Sequence, residues 1–150
     1  CVERLKLYAK QQAWWNSCPQ TKGAKEYNNV SRLSKFKSNN PQSIPFMPDV
    51  KHGLYLVELL HEAGTISYNE GVARRLSWSE LKAWSDFVGY DLDSWESSTI
   101  MLLSACYAEI SNEATTNDCP MPCQPTMTED RRKAVSMNIK NALRSIAKVR

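Results

Sequence analysis

The sequence predicts an all-α fold: a small helical domain organised on a central helix-turn-helix-like unit, with a less ordered basic arm on each side. Three observations carry that expectation. Apolar residues recur at three- to four-residue spacing in five separate stretches, two of those stretches open on a paired capping signature, and the 150 residues include only five glycines. That length suits one domain with a modest core. The expected divisions are 1–48, a basic helix and linker arm; 49–113, the central helical domain; 114–127, a proline-rich linker; and 128–150, a basic amphipathic helix.

The central unit gives the strongest signal. Ser77 with Glu80, and Asp93 with Glu96, both have capping-box spacing. In that arrangement the cap side chain accepts from the third helical N–H and the acid reaches back to the cap's own N–H. Trp78 and Trp95 follow directly inside the two starts. Gly89 sits where the first helix must stop, a position favouring the left-handed conformation that glycine takes without penalty. Leu81, Trp84, Phe87 and Val88 are expected along one side of the first helix. In the second, 94–113, the apolar set Trp95, Leu102, Leu103, Cys106, Tyr107 and Ile110 marks the longest core helix. Burial of such a side chain stabilises by about 1.5–3 kcal/mol, so Trp95→Ala is expected to be among the most damaging single changes.

Ahead of this unit, 2–15 read as a helix with Val2, Leu5, Ala9 and Ala13 on one face. Trp14 and Trp15 close it. Adjacent helical positions face different directions, so either both rings pack on the core or one is left for a partner. Residues 17–48 lose the period in Asn, Ser, Lys and Pro and read as an irregular arm. A short helical turn near 30–36 gives that arm a basic edge from Arg32, Lys35 and Lys37. Asp49 is expected to cap a helix over 50–63 that Gly64 ends. Leu54, Val57 and His61, widened by Leu56, Leu59 and Leu60, make its stripe broad enough to be contacted on two sides, by the rest of the domain or partly by another chain. Leu56, Leu59, Leu60, Trp14 and Trp15 are therefore candidate partner-binding residues. Residues 64–75 read as a loop with a brief extended piece at 65–68.

Beyond Glu113, Pro120, Pro122 and Pro125 break any helical period. Cys119 and Cys123 stand in C-x3-C spacing without a second pair or a nearby histidine to complete a zinc site, and an incidental disulfide, formed in an oxidising preparation, is expected ahead of a metal. From Thr128 onward, Val135, Ile139, Ala142, Leu143 and Ile146 form an apolar stripe beside Lys140, Arg144 and Lys148. Those three cations are candidate partner contacts. The helix suits the acidic centre of this chain, an acidic partner, nucleic acid or a membrane surface.

The net charge of +3 conceals an uneven distribution. Residues 1–48 carry eight Lys/Arg against two Asp/Glu, 49–114 carry four against eleven, and 129–150 carry seven against two. No stretch approaches the roughly 18 apolar residues needed to span a bilayer, and the expected location is soluble. The start at Cys1 suits trimming, an excised fragment or an extension of an upstream reading frame. Five scattered cysteines suit reduced thiols. Paired carboxylates, a nucleophile elbow, a glycine-rich phosphate loop and a metal-ligand cluster are all absent, and His52 and His61 lie nine residues apart. No enzyme activity, catalytic residue, metal or cofactor is expected.

The central segment resembles the small tail assembly chaperones encoded between the tail-tube and tape-measure genes of long-tailed bacteriophages. The shared pattern is Ala63-Gly64, Gly71, Leu76-Ser77-Trp78, Glu80-Leu81, Ala83-Trp84, Gly89, Leu92, Trp95-Glu96, and Ala105 with Tyr107, over residues 50–113. The resemblance implies a non-catalytic helical assembly factor that binds tape-measure and tail-tube proteins in the host cytoplasm and is absent from the finished particle. The family's second product is often made by ribosomal slippage, which would suit a segment without a start methionine. Two alternatives come from other classes. One is a nucleic-acid-binding protein using its basic arms, although residues 94–113 contain Glu96, Glu109 and Glu113 and no Lys or Arg. The other is a connector or tail-completion protein kept in the virion. A homo-oligomer is compatible with any of the three.

Overall fold

A computed structural model describes residues 2–123 and leaves out Cys1 and 124–150. Among the described residues, helices α1 (Val2–Asn16), α2 (Arg32–Asn39) and α3 (Leu54–Glu62) precede strands β1 (Ile66–Asn69) and β2 (Val72–Arg75), which are followed by α4 (Trp78–Val88) and α5 (Ser94–Glu113). The chain is mostly helical, but the all-α expectation is corrected by the hairpin. Residues 66–75 form a two-stranded antiparallel sheet with Tyr68 opposite Ala73. Its two-residue turn, Glu70-Gly71, needs positive φ at both positions, observed at 52° and 81°. Glycine accepts that conformation freely and glutamate does not, which is why the turn is hard to read from sequence.

Helix α5 is the central post. Helix α1 packs along it more extensively than any other helix does, and Leu5, Ala9, Leu56, Leu60, Ile100 and Leu103 make one continuous buried core. Small Ala9 and Ala13 keep the packed face of α1 thin, so α5 can approach closely. Lys10 Nζ reaches Glu109 on α5 at 2.7 Å, and that contact holds the ammonium above its ordinary pKa. The expected less ordered N-terminal arm is therefore corrected for α1, which shares its apolar face with the core. The stretch after it is fastened as well. Gln20 N–H donates to Thr115 O at 2.8 Å, and the Gln20 side chain donates to Asn28 O and accepts from Asn28 N–H.

Arg32 is the main fastener. Its guanidinium, nearly buried, donates to Ala114 O (3.0 Å), Thr116 O (2.5 Å) and Ser17 Oγ, and lies 4.6 Å over the Trp14 ring. A cation just past the C-terminal end of α5 meets the negative end of the helix dipole. Burial lowers its pKa. Arg32 thus belongs to the interior and not to a basic edge; Lys35 and Lys37 are the exposed cations of α2. The described part of the expected 114–127 linker also lies on α1: Gln11 Nε2 donates to Pro122 O and Trp14 Nε1 to Cys119 O, at 2.8 and 2.9 Å.

Polar side chains of α5 complete the hairpin. Ser104, fully buried, donates to Thr65 O at 2.6 Å and accepts from Leu76 N–H at 2.9 Å. The Asn112 amide both accepts from Ala73 N–H and donates to Ala73 O, each at 2.9 Å. These bonds satisfy backbone groups that no third strand reaches. The helix after Asp49 also starts later than expected. Val50–Gly53 make a tight turn first, Gly53 takes the cap position without a side chain, and Asp49 accepts only from Lys51 N–H at 3.3 Å. No helix among the described residues is long and apolar enough to cross a membrane.

Candidate functional site

Helix α4 is attached differently from the others. Its backbone stands off from every other element, and it is held by Leu81, which is buried, and by Trp84, which is partly buried against the core. Across the short 89–93 turn, α4 and α5 do not form the packed helix-turn-helix unit the sequence suggests. Both capping boxes form. Ser77 accepts from Glu80 N–H at 3.1 Å and Asp93 from Glu96 N–H at 2.7 Å, with each glutamate returning to its cap's N–H. The Ser77 bonds hold the Glu80 carboxyl below its ordinary pKa. Gly89 is left-handed at φ 71°, and the Ser85 hydroxyl donates to Tyr90 O while the Tyr90 ring stacks near Trp84.

This geometry opens a groove of about 360 Å³ between α4 and the start of α5. Trp78, Leu81, Lys82, Ser85 and Asp86 supply one wall, the i, i+3, i+4, i+7 and i+8 face of α4, and Asp91, Leu92 and Ser97 supply the other. Trp78, Leu81 and Leu92 make an apolar floor. Asp86 and Asp91 make an acidic rim, and the one basic lining residue, Lys82, is paired with Asp86 at 2.9 Å. The tryptophans at the starts of the two helices are both half exposed, Trp78 at 53% and Trp95 at 51%. A concave apolar strip with an acidic edge suits an amphipathic helix whose apolar stripe is flanked by cations.

The other sequence candidates fall elsewhere. Leu56, Leu59 and Leu60 are buried in the core and offer nothing to a partner. Exposed Leu54, expected in the same stripe, is instead at the surface. Trp14 and Trp15 are half-buried at the α1 end, edge-on to each other at 5.0 Å, with Trp15 against Phe36. Tyr107 is buried, accepts from Asn16 Nδ2 at 2.9 Å and meets His61 edge-on. Phe87, Val88, Trp95 and Leu102, expected to face the core, are exposed to different degrees. Phe87 lies half a turn around α4 from Trp78, so it points away from the groove. Cys119 and Cys123 are free thiols. Lys140, Arg144 and Lys148 lie outside the described residues, as does the whole expected 128–150 helix.

A larger cavity, about 660 Å³, lies between the end of α1, the hairpin and α5, beside Asn16, Tyr27, Tyr68 and Asn112. Its polar lining is already committed, Asn16 to Tyr107, Asn112 to Ala73 and Gln20 to Asn28, so it offers few free groups to a ligand. Among the described residues no three metal-ligating side chains converge. Sequence reasoning missed Ser85, Asp91 and Leu92 as parts of a site. The period that could have found the α4 wall is the 78, 81, 82, 85, 86 face. No protein-family model matches the chain, and no curated protein or solved structure matches it.

Proposed function

We propose that this chain is a non-catalytic assembly factor of the tail assembly chaperone kind, which binds tape-measure and tail-tube proteins in the host cytoplasm and does not remain in the particle. The resemblance over 50–113 supports this reading. The single observation that carries it is the α4–α5 groove, where Trp78 stands half in solvent beside the buried Leu81 and the partly buried Leu92, with Asp86 and Asp91 at the rim. A cytosolic enzyme would need convergent reactive groups. A binding protein needs an apolar anchor site with a polar rim, and this groove has that composition.

The test is co-expression with tail proteins of the same genome, followed by capture at moderate and high salt with nuclease treatment. A long helical tape-measure-like protein should be retained by the unaltered chain and lost by Asp86→Lys with Trp78→Ala. Recovery of nucleic acid alone, released by salt, overturns the reading. Detection of the chain in purified particles moves it to the virion-component class.

A further inference from the structure

On α1 one buried acceptor lacks a partner among the described residues. Gln11 is 2% exposed, its Nε2 donates to Pro122 O at 2.8 Å, and its Oε1 accepts from nothing. The Pro122 carbonyl fixes which end of the amide is which, because only the amide nitrogen can donate to it. What is left over is therefore an acceptor. The adjoining backbone has little to give it, since Pro120 and Pro122 carry no N–H. Buried polar atoms are almost always satisfied, so this one fits a donor carried by a ligand. Gln11 also lines a cavity of about 440 Å³, within the roughly 300–1,000 Å³ of small-molecule sites. Arg4, Leu7 and Gln11, spaced i, i+3 and i+7, supply the α1 wall, and Phe46, Pro48 and Met121 face it. The charged lining residues, Arg4 and Asp49, are exposed and opposite in sign, so the mouth favours neither a cation nor an anion. The remaining groups suit an aromatic ring: Phe46 can meet it edge-on, Met121 through its sulfur, and the Arg4 guanidinium over its face.

We propose that this cavity binds a neutral aromatic ring bearing one N–H or O–H donor, of the indole or phenol class, with the donor on Gln11 Oε1. The ring packs between Leu7 and Met121, and Phe46, which is mostly exposed, gains an apolar neighbour. The cavity shares no lining residue with the α4–α5 groove, so the site does not depend on the assembly-factor reading.

The test titrates the full chain with 5-fluoroindole, read by fluorine NMR, and with 1-methyl-5-fluoroindole, which keeps the ring and lacks the donor. Binding should saturate at one molecule per chain, with the methylated ring held about tenfold more weakly, the effect of one lost hydrogen bond. In spectra of carbon-13-labelled methionine methyls, the Met121 signal should move as 5-fluoroindole is added. Gln11→Met, similar in length and without the acceptor, should bind the two probes about equally. Three results overturn the proposal: no saturable binding, equal binding of both probes by the unaltered chain, or binding that leaves Met121 unmoved. The first and second are read without any substitution, so the outcome does not hang on whether Gln11→Met folds; a folded variant that keeps the tenfold preference also overturns it. N-acetyltryptophanamide then separates two sources of the same ring. If it displaces 5-fluoroindole, the ring comes on a partner's tryptophan; if it is excluded, the ligand is a free molecule, and the site stands in both cases.

Discussion

Two pairs of tryptophans sit at helix ends in this protein and meet opposite fates. Trp14 and Trp15 close α1, and the structure gathers around them: Arg32 lies over one ring, Cys119 O accepts from its Nε1, and Phe36 meets the other. Trp78 and Trp95 open α4 and α5 and stay half in solvent. Residue type is alike, so it does not decide the outcome. What differs is whether a later segment returns to the ring. Residues 17–39 and 114–123 fold back over the end of α1, whereas no described segment crosses the starts of α4 and α5. The first region is a closed core extension, and the second is a surface left available.

The contrast can be broken from the core side first. Leu60→Ala should cost about 2–5 kcal/mol, because a fully buried side chain is removed from the shared core; a denaturant midpoint close to the unaltered one would show that this core is not continuous. Arg32→Ala should cost about 2–3 kcal/mol by leaving the Ala114 and Thr116 carbonyls without their donor. It should also expose Trp14 to acrylamide quenching, and a chain that keeps that ring protected would detach Arg32 from the closure.

Smaller effects sharpen the surface side. Trp95→Ala should cost about 1 kcal/mol or less in stability, since only part of the ring is covered. A loss as large as that of Leu60→Ala would return Trp95 to the core. The smallest expected effect is on pH. His61 bonds Thr65 and Gln12 at 2.9 Å each, and burial lowers its pKa from the ordinary value of about 6.5. The unfolded chain then binds the proton more readily than the folded one. Stability is therefore full above pH about 6.5 and declines as pH falls through that value. His61→Gln should flatten the decline in melting temperature between neutral and mildly acid pH, and an unchanged slope would assign the acid sensitivity to other groups.

The sequence was most legible where local chemistry decides the structure. Ser77–Glu80, Asp93–Glu96 and Gly89 act within a few residues, and the helix starts and stop they indicate are present. Legibility failed where distant segments decide. The apolar period of α4 placed Phe87 and Val88 inward, but only Leu81 and Trp84 find core to pack against, because α4 stands away from the other helices. Arg32 reads as one more basic residue in sequence because its acceptors, Ala114 O and Thr116 O, lie more than eighty residues away. The hairpin was reduced to a short extended piece, since its turn uses Glu70 where Asn or Asp is usual and its outer backbone bonds come from α5 side chains. The groove, likewise, depends on Asp91 and Leu92 being swung toward α4 by a turn whose direction no local pattern specifies.

The Asn112 amide has one more consequence. An isolated hairpin offers two open backbone edges, and an open edge is a template on which another chain can add a strand. By taking both the N–H and the C=O of Ala73, Asn112 closes the outer edge of β2 with a side chain instead of a strand. Fibrillar self-association through β2 would first have to pull that amide away.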